Sequence, residues 1–158
     1  LPDGKGVQAA KNKCYRLLTY KPRTEYELKC RLKEAGFDNA VIEETISILY
    51  RKGLLNDELF ASDWVSWRLS TKPVGREYLR NELRHKGIDN TIIEKSLKGY
   101  GPEDELEKAL VLAQKRAERY TRLTWSRLAG YLGRRGFPYA VVVKVCDIMA
   151  DNGQLDIS

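Results

Sequence analysis

Leu79-Arg-Asn-Glu-Leu83-Arg-His-Lys-Gly87-Ile88 decides the fold, because the same frame stands at two other places in the chain. Gly36 has Leu28 and Leu32 eight and four positions before it and Phe37 after it; Gly136 has Leu128, Leu132 and Phe137. Further apolar residues follow six and ten positions past each glycine: Ile42 and Ile46, Ile93 and Leu97, Val142 and Cys146. The glycines are 51 and 49 residues apart, so the chain is a tandem repeat.

Apolar residues four apart share one face of a helix, and a glycine just past them can take the left-handed conformation that ends it. Each unit is therefore helix, glycine stop, helix. A third periodic stretch lies upstream in each: Tyr15, Leu17 and Leu18; Phe60, Trp64, Trp67 and Leu69; Leu106, Leu110 and Ala113. The expected architecture is all-α, a tandem array of three three-helix repeats, elongated and curved. Its expected limits are a flexible N-terminal lead over 1–9, repeats over 10–52, 53–100 and 101–152, and a C-terminal tail over 153–158.

Local signals agree with these boundaries. Thr24 with Glu27 reads as a capping box, and Asp38 and Asp89 stand at expected N-caps. Pro102 and Pro138 suit the first turn of a helix, where a missing N–H costs nothing. Ala140-Val-Val-Val-Lys-Val145 alone would read as a strand, but register with the other units outweighs its β-propensity, which costs a helix only tenths of a kcal/mol per residue. Units of this size bury too little surface alone and are expected to share apolar faces with their neighbours.

Several function classes find no support. His85 is the only histidine, flanked by Arg84 and Lys86 on a polar helix face, and no nucleophile elbow, paired carboxylates or metal-ligand spacing accompanies it. The glycines lack a phosphate-loop pattern. No stretch has the apolar length of a membrane span. Cys14, Cys30 and Cys146 show no paired spacing, and with no signal peptide in evidence they point to a reducing cytoplasm. The expectation is a cytoplasmic monomer, not an enzyme, with no cofactor and no metal.

Basic residues carry the remaining signal in a chain of net charge +6. Arg76, Arg80 and Arg84 recur every four residues and form a stripe on one helix, with Lys29 and Lys33 at the equivalents of Arg80 and Arg84. Stacked units would align them into a basic strip; Glu77 and Glu82 nearby leave open that they only keep a helix soluble. Residues 108–135 hold eight basic residues and a single acid, Glu118. Lys115, Arg116, Arg119, Arg127, Arg134 and Arg135 belong to this second patch, interleaved with Trp125 and Tyr131, which either stack on bases or anchor the core. Arg68, Lys72 and Lys86 complete the candidate partner-binding set.

Two longer runs resemble the RecX family: Gly53-Leu-Leu-Asn-Asp-Glu-Leu-Phe-Ala61 with Trp64 and Arg68, and Gly75-Arg-Glu-Tyr-Leu-Arg-Asn-Glu-Leu-Arg-His-Lys-Gly-Ile88. Arg23-Thr-Glu-Tyr-Glu-Leu28 is similar to the family's opening segment, and the likeness runs from about Ala10 to Ala150. Asn56, where an acidic residue is common, and Pro73, ahead of Gly75 rather than after it, depart from the family pattern. The resemblance implies tandem three-helix units, a RecA-DNA filament as partner, and inhibition of strand exchange, ATP hydrolysis and coprotease activity, with weak direct DNA contact. The competing reading is a module that binds single- or double-stranded DNA directly.

Overall fold

The computed structural model describes residues 4–156, and among these it contains nine helices and no strand. They are α1 (Gly4–Tyr20), α2 (Glu25–Glu34), α3 (Asn39–Arg51), α4 (Asp57–Thr71), α5 (Arg76–His85), α6 (Asn90–Ser96), α7 (Pro102–Arg119), α8 (Trp125–Arg134) and α9 (Tyr139–Asp151). The order is helix, helix, glycine, helix, three times over.

The three repeat glycines have φ of +88° at Gly36, +75° at Gly87 and +78° at Gly136. Each helix before them closes the same way: Phe37, Ile88 and Phe137 amides bond back to the Leu32, Leu83 and Leu132 carbonyls at 3.2, 3.0 and 3.2 Å. The leucine frame explains why the chain must turn there, since Leu28, Leu32, Leu79, Leu83, Leu128 and Leu132 are all fully buried. Truncating any of them to alanine should cost about 2–5 kcal/mol.

Starts of helices follow the side chains available. Thr24 and Glu27 form the expected reciprocal capping box. Asn56 accepts the Leu59 amide at 3.0 Å and so starts α4 with a side chain that an acid would otherwise supply. Asp38 occupies the N-cap of α3 but makes no side-chain cap bond. Pro102 opens α7 as expected, whereas Pro138 is the extended N-cap of α9, one residue outside its first turn. The valine-rich segment is helical throughout, with Val142, Val145, Cys146 and Met149 buried.

Both ends of the chain differ from expectation. Helix α1 takes in residues 4–9, assigned from sequence to a flexible lead, because Val7 and Ala10 extend its buried face; residues 1–3 lie outside the described residues. At the other end, Leu155 is buried and the Asp156 amide and carbonyl bond the Leu123 carbonyl and the Trp125 amide, each at 3.0 Å. Residues 153–156 are thus tied down, and residues 157–158 of the expected tail also lie outside the described residues.

The chain divides into two compact units. The first holds the chain through Asp63 together with Leu83–Ile93. Its core packs Val7, Ala10 and Cys14 of α1 against Leu28 and Leu32 of α2 and Val41, Ile42, Ile46 and Leu49 of α3. The second holds Trp64–Glu82 together with the chain from Glu94 onward. Here Ala109, Leu112 and Ala113 of α7 meet Leu128 and Leu132 of α8 and Val142, Val145, Cys146 and Met149 of α9. Along α4 the buried apolar residues are Ala61 and Val65, while Trp67, counted among the apolar periodic positions, is half exposed. Burial pushes the thiols of Cys14 and Cys146 up to about 11, as expected of cysteines serving as small apolar side chains.

Candidate functional site

Each unit contains a joint of the same design. In the first, the Thr24 hydroxyl donates to the Lys86 carbonyl at 2.6 Å and the Glu25 amide donates to Asp57 Oδ1 at 2.9 Å. Tyr26 lies on Gly87, where a Cβ would come 2.1 Å from the Tyr26 Cβ. In the second, the Gly75 amide donates to the Arg135 carbonyl at 2.8 Å and the Arg76 amide to Glu105 Oε2 at 2.7 Å. Tyr78 lies on Gly136, and a Cβ on Gly75 would come 2.0 Å from the Gly136 carbonyl oxygen. Helix starts favour a negative group, which is why buried Asp57 and Glu105 suit these positions.

The joints place the candidate basic residues in different surroundings. Lys29 is held between Glu25 at 2.9 Å and Glu43 at 3.2 Å, and these partners raise its pKa, Glu25 most. Lys86 faces Glu27 at 3.8 Å and lies over the Phe60 ring. Arg80 bonds Glu94 at 2.7 Å and Glu77 at 3.1 Å, which raises its pKa, with Glu94 the main cause. Lys29 and Arg80 of the anticipated strip, and Lys86 of the wider candidate set, therefore have carboxylate partners. Lys33 and Arg84 are exposed, and Arg76 is half-buried with its Nε enclosed and without a hydrogen-bond partner.

In the second unit the structure gathers other members of the set. Arg68, Lys72, Arg134 and Arg135 line a cleft of about 370 Å³ with Val74, Tyr78 and Tyr131. Arg116, Arg127 and Arg134 line another, of about 340 Å³, with Tyr120, Leu123, Ser126 and Gly130. Arg134 contributes to both. Arg68 is already committed, since it forms a two-pronged ion pair with Glu82, which also accepts from Trp64 Nε1 at 3.2 Å. Lys115 and Arg119 are exposed on α7.

The tyrosines decide what the arginines of α7 and α8 can do. Arg116 lies 4.3 Å from the Tyr131 ring centre and 4.9 Å from that of Tyr120, while Arg135 lies 5.0 Å from Tyr131. Among the described residues, none of Arg116, Arg127, Arg134 and Arg135 forms an ion pair, and Nη1 of Arg135 is buried without a hydrogen-bond partner. A ring face orients a guanidinium without cancelling its charge, so its N–H fork remains available for carboxylate or phosphate oxygens. Trp125 packs partly buried against the α7–α9 core, in keeping with its anchoring role. Sequence spacing had no means of showing the Arg116, Tyr131, Arg135 arrangement, whose members come from two helices and a cap. The one signal was the excess of basic residues over 108–135.

His85 is exposed, and no group of three or more His, Cys, Asp or Glu residues among those described could hold a metal ion. No helix of the described residues is long and apolar enough to cross a membrane.

Known proteins share this arrangement. The families described as RecX first, second and third three-helix domains match residues 10–49, 56–97 and 103–146. A Mycolicibacterium smegmatis protein named regulatory protein RecX is 34% identical over 96% of this chain and 89% of its own. One of the same name from Amycolatopsis mediterranei is 34% identical over 92% of this chain and 85% of its own. A third, from Corynebacterium efficiens, is 37% identical over 77% of this chain, which spans 62% of that protein's length. The crystal structure of RecX from Lactobacillus salivarius superposes with a TM-score of 0.82 at 26% identity, covering 94% of this chain and 99% of that one. With three successive domain matches, a shared fold and relatives aligned over most of its length, the chain belongs to the RecX family of regulatory proteins.

Proposed function

We propose that this chain binds the RecA-DNA filament in the bacterial cytoplasm and restrains the recombinase, ATPase and coprotease activities of RecA, acting as a monomer and without catalysis of its own. The observation that supports this reading is the pair of basic clefts sharing Arg134, in which Arg116 and Arg135 lie on tyrosine rings and, with Arg127 and Arg134, form no ion pair among the described residues. A filament repeats anionic and polar groups at fixed spacing, so several modest contacts from three domains, taken as 10–52, 53–100 and 101–152, add through effective concentration. Holding neighbouring subunits in one arrangement opposes their conformational cycle, and inhibition then needs no reacting group. Arg116, Arg127, Arg134 and Arg135 are the leading contacts, with Lys72, Lys115 and Arg119 beside them; Lys33, Arg76 and Arg84 are secondary. Lys29, Arg68, Arg80 and Lys86 serve first in ion pairs of their own.

The same clefts favour a second reading, direct binding of DNA, because guanidiniums beside tyrosine rings also suit phosphates and bases. One salt series separates the two. Affinity is measured for bare single- and double-stranded DNA and for a RecA filament. Phosphate binding falls by about 0.7 to 0.9 log units per log unit of salt for each phosphate neutralised. The filament reading expects much tighter binding to the filament than to bare DNA at every salt concentration; equal affinity for both would replace it with the DNA reading.

A further inference from the structure

Arg68, Lys72, Arg134 and Arg135 meet in the cleft of about 370 Å³ in the second unit, and no carboxylate lines it. Glu82 engages Arg68, whereas Lys72, Arg134 and Arg135 form no ion pair among the described residues. Like charges brought together repel, so the chain holds this arrangement at a cost that a bound anion relieves. Nη1 of Arg135 is covered and unbonded, a donor whose need the protein itself does not meet. The walls are fixed from behind. Val74 is buried and its carbonyl accepts the Tyr100 hydroxyl at 2.9 Å, while the next amide, of Gly75, donates to the Arg135 carbonyl at 2.8 Å. A Cβ on Gly75 would come 2.0 Å from the Gly136 carbonyl oxygen, so glycine is what lets residues 74–75 and 135–136 lie this close. Side chains carried on walls fixed in this way lose little freedom when a ligand arrives.

We infer that this cleft binds a compact, multiply charged phosphate, a di- or triphosphate group that is either free or the tail of a nucleotide. Charge, surface and size select that class. Lys72, Arg134 and Arg135 together bring more positive charge than the single negative charge of a phosphate within a strand can balance, whereas a di- or triphosphate carries several charges in one place. Guanidinium forks pair with its adjacent oxygens, and the ammonium of Lys72 adds a point charge at the rim. Each tyrosine that lines the cleft already carries a guanidinium: Tyr131 has Arg135 at 5.0 Å and Arg116 at 4.3 Å, and Tyr78 has Arg68 at 5.7 Å. The cleft therefore offers cations rather than bare ring faces, and it reads charge rather than bases. Its volume lies at the small end of the range of about 300–1,000 Å³ usual for small-molecule pockets. A small-ligand site of this kind depends on no contact with RecA, so its failure would leave the filament reading untouched.

The test uses the full chain in magnesium-free buffer at low salt, with tripolyphosphate, adenosine triphosphate, adenosine, citrate and a single-stranded oligonucleotide lacking terminal phosphates as probes. Calorimetry should show both triphosphates binding at least about 10-fold more tightly than citrate or the oligonucleotide, with no binding of adenosine, and amide NMR should place the shifts at Lys72, Gly75 and residues 131–136. Tighter binding of adenosine triphosphate than of tripolyphosphate would assign the site to nucleotides, and equal affinities to the phosphate chain alone. Arg135→Gln and Lys72→Ala should each weaken binding by about 10-fold, with Arg135→Lys restoring part of the loss, while Lys33→Gln, an exposed cation of the first unit, should change nothing. Lys72 is exposed, so Lys72→Ala stands in if Arg135→Gln fails to fold by circular dichroism. Citrate or the oligonucleotide binding as tightly as tripolyphosphate would overturn the inference. So would an equal loss in Lys33→Gln and Lys72→Ala, or shifts that avoid the cleft.

Discussion

The first unit and the α7–α8 part of the second have similar backbones and opposite electrostatics. In the first, three basic side chains have carboxylate neighbours, Lys29 with Glu25 and Glu43, Lys86 with Glu27 and Arg51 with Glu44, while Arg16, Lys21, Arg31 and Lys33 are exposed without an ion pair among the described residues. In α7–α8, tyrosines take the carboxylates' place beside Arg116 and Arg135. Surface ion pairs contribute little stability, but they quench the local field; aromatic neighbours order the cation and leave its charge to act at a distance. One repeated scaffold thereby carries cations quenched by carboxylates at Lys29 and Lys86 and cations left open beside aromatic rings at Arg116 and Arg135.

The shared backbone is most severely tested at the joints. Gly87→Ala and Gly136→Ala should each cost about 3 kcal/mol, a left-handed residue with a β-carbon driven into a tyrosine, measured by urea unfolding. Gly36→Ala, also left-handed but with nothing within 4 Å of its Cβ position, should cost only about 1 kcal/mol. Equal losses at Gly36 and Gly87 would remove the joint from the account and leave only helix termination.

The acids of the joints come next. Burial, the main cause, raises the Asp57 carboxyl above the usual carboxylate range, although the Glu25 amide pulls the other way. A carboxyl whose pKa is higher folded than unfolded contributes most stability at low pH and loses it as pH rises through the folded value. Asp57→Asn keeps an acceptor for the Glu25 amide and removes the charge. It should therefore cost most in acid and gain on wild type as pH climbs to neutrality; Asp57→Ala, which also removes the charge, should follow the same pH trend while losing about 1–3 kcal/mol more for the unpaired Glu25 amide. A D57N stability difference that stays flat across pH 3–7 in thermal unfolding would contradict the buried charge. Smaller still, Thr24→Ala should cost about 1 kcal/mol, for it loses both a cap and the bond to Lys86. Thr124→Ala, whose hydroxyl caps α8 alone, should cost about half as much.

The fold was legible because three leucine pairs and three glycines obey short-range rules that any helix must satisfy. The site was less so. The stripe Arg76, Arg80, Arg84 is visible at i+4 spacing, but Glu94, which neutralises Arg80, lies 14 residues away on another helix and no local pattern announces it. Likewise Asp57 and Glu105 read as ordinary first-turn acids, and their burial against a preceding domain's helix start appears only in three dimensions. One signal was present and unused: Gly53 and Gly153 lie 17 residues past Gly36 and Gly136, and both take positive φ, at +71° and +73°. They close α3 and α9, and with them the domain limits are sharper than periodicity alone allows.

Charge reversal in the two regions tests the central claim most directly. Arg116→Glu with Arg134→Glu, and separately Lys29→Glu with Lys33→Glu, are compared with wild type for affinity to a RecA filament at fixed salt, with helicity checked by circular dichroism. The account predicts a loss of at least about 10-fold for the arginine pair, near 1.4 kcal/mol, and a change within about threefold for the lysine pair. Equal losses from both pairs, or none from the arginines, would contradict it.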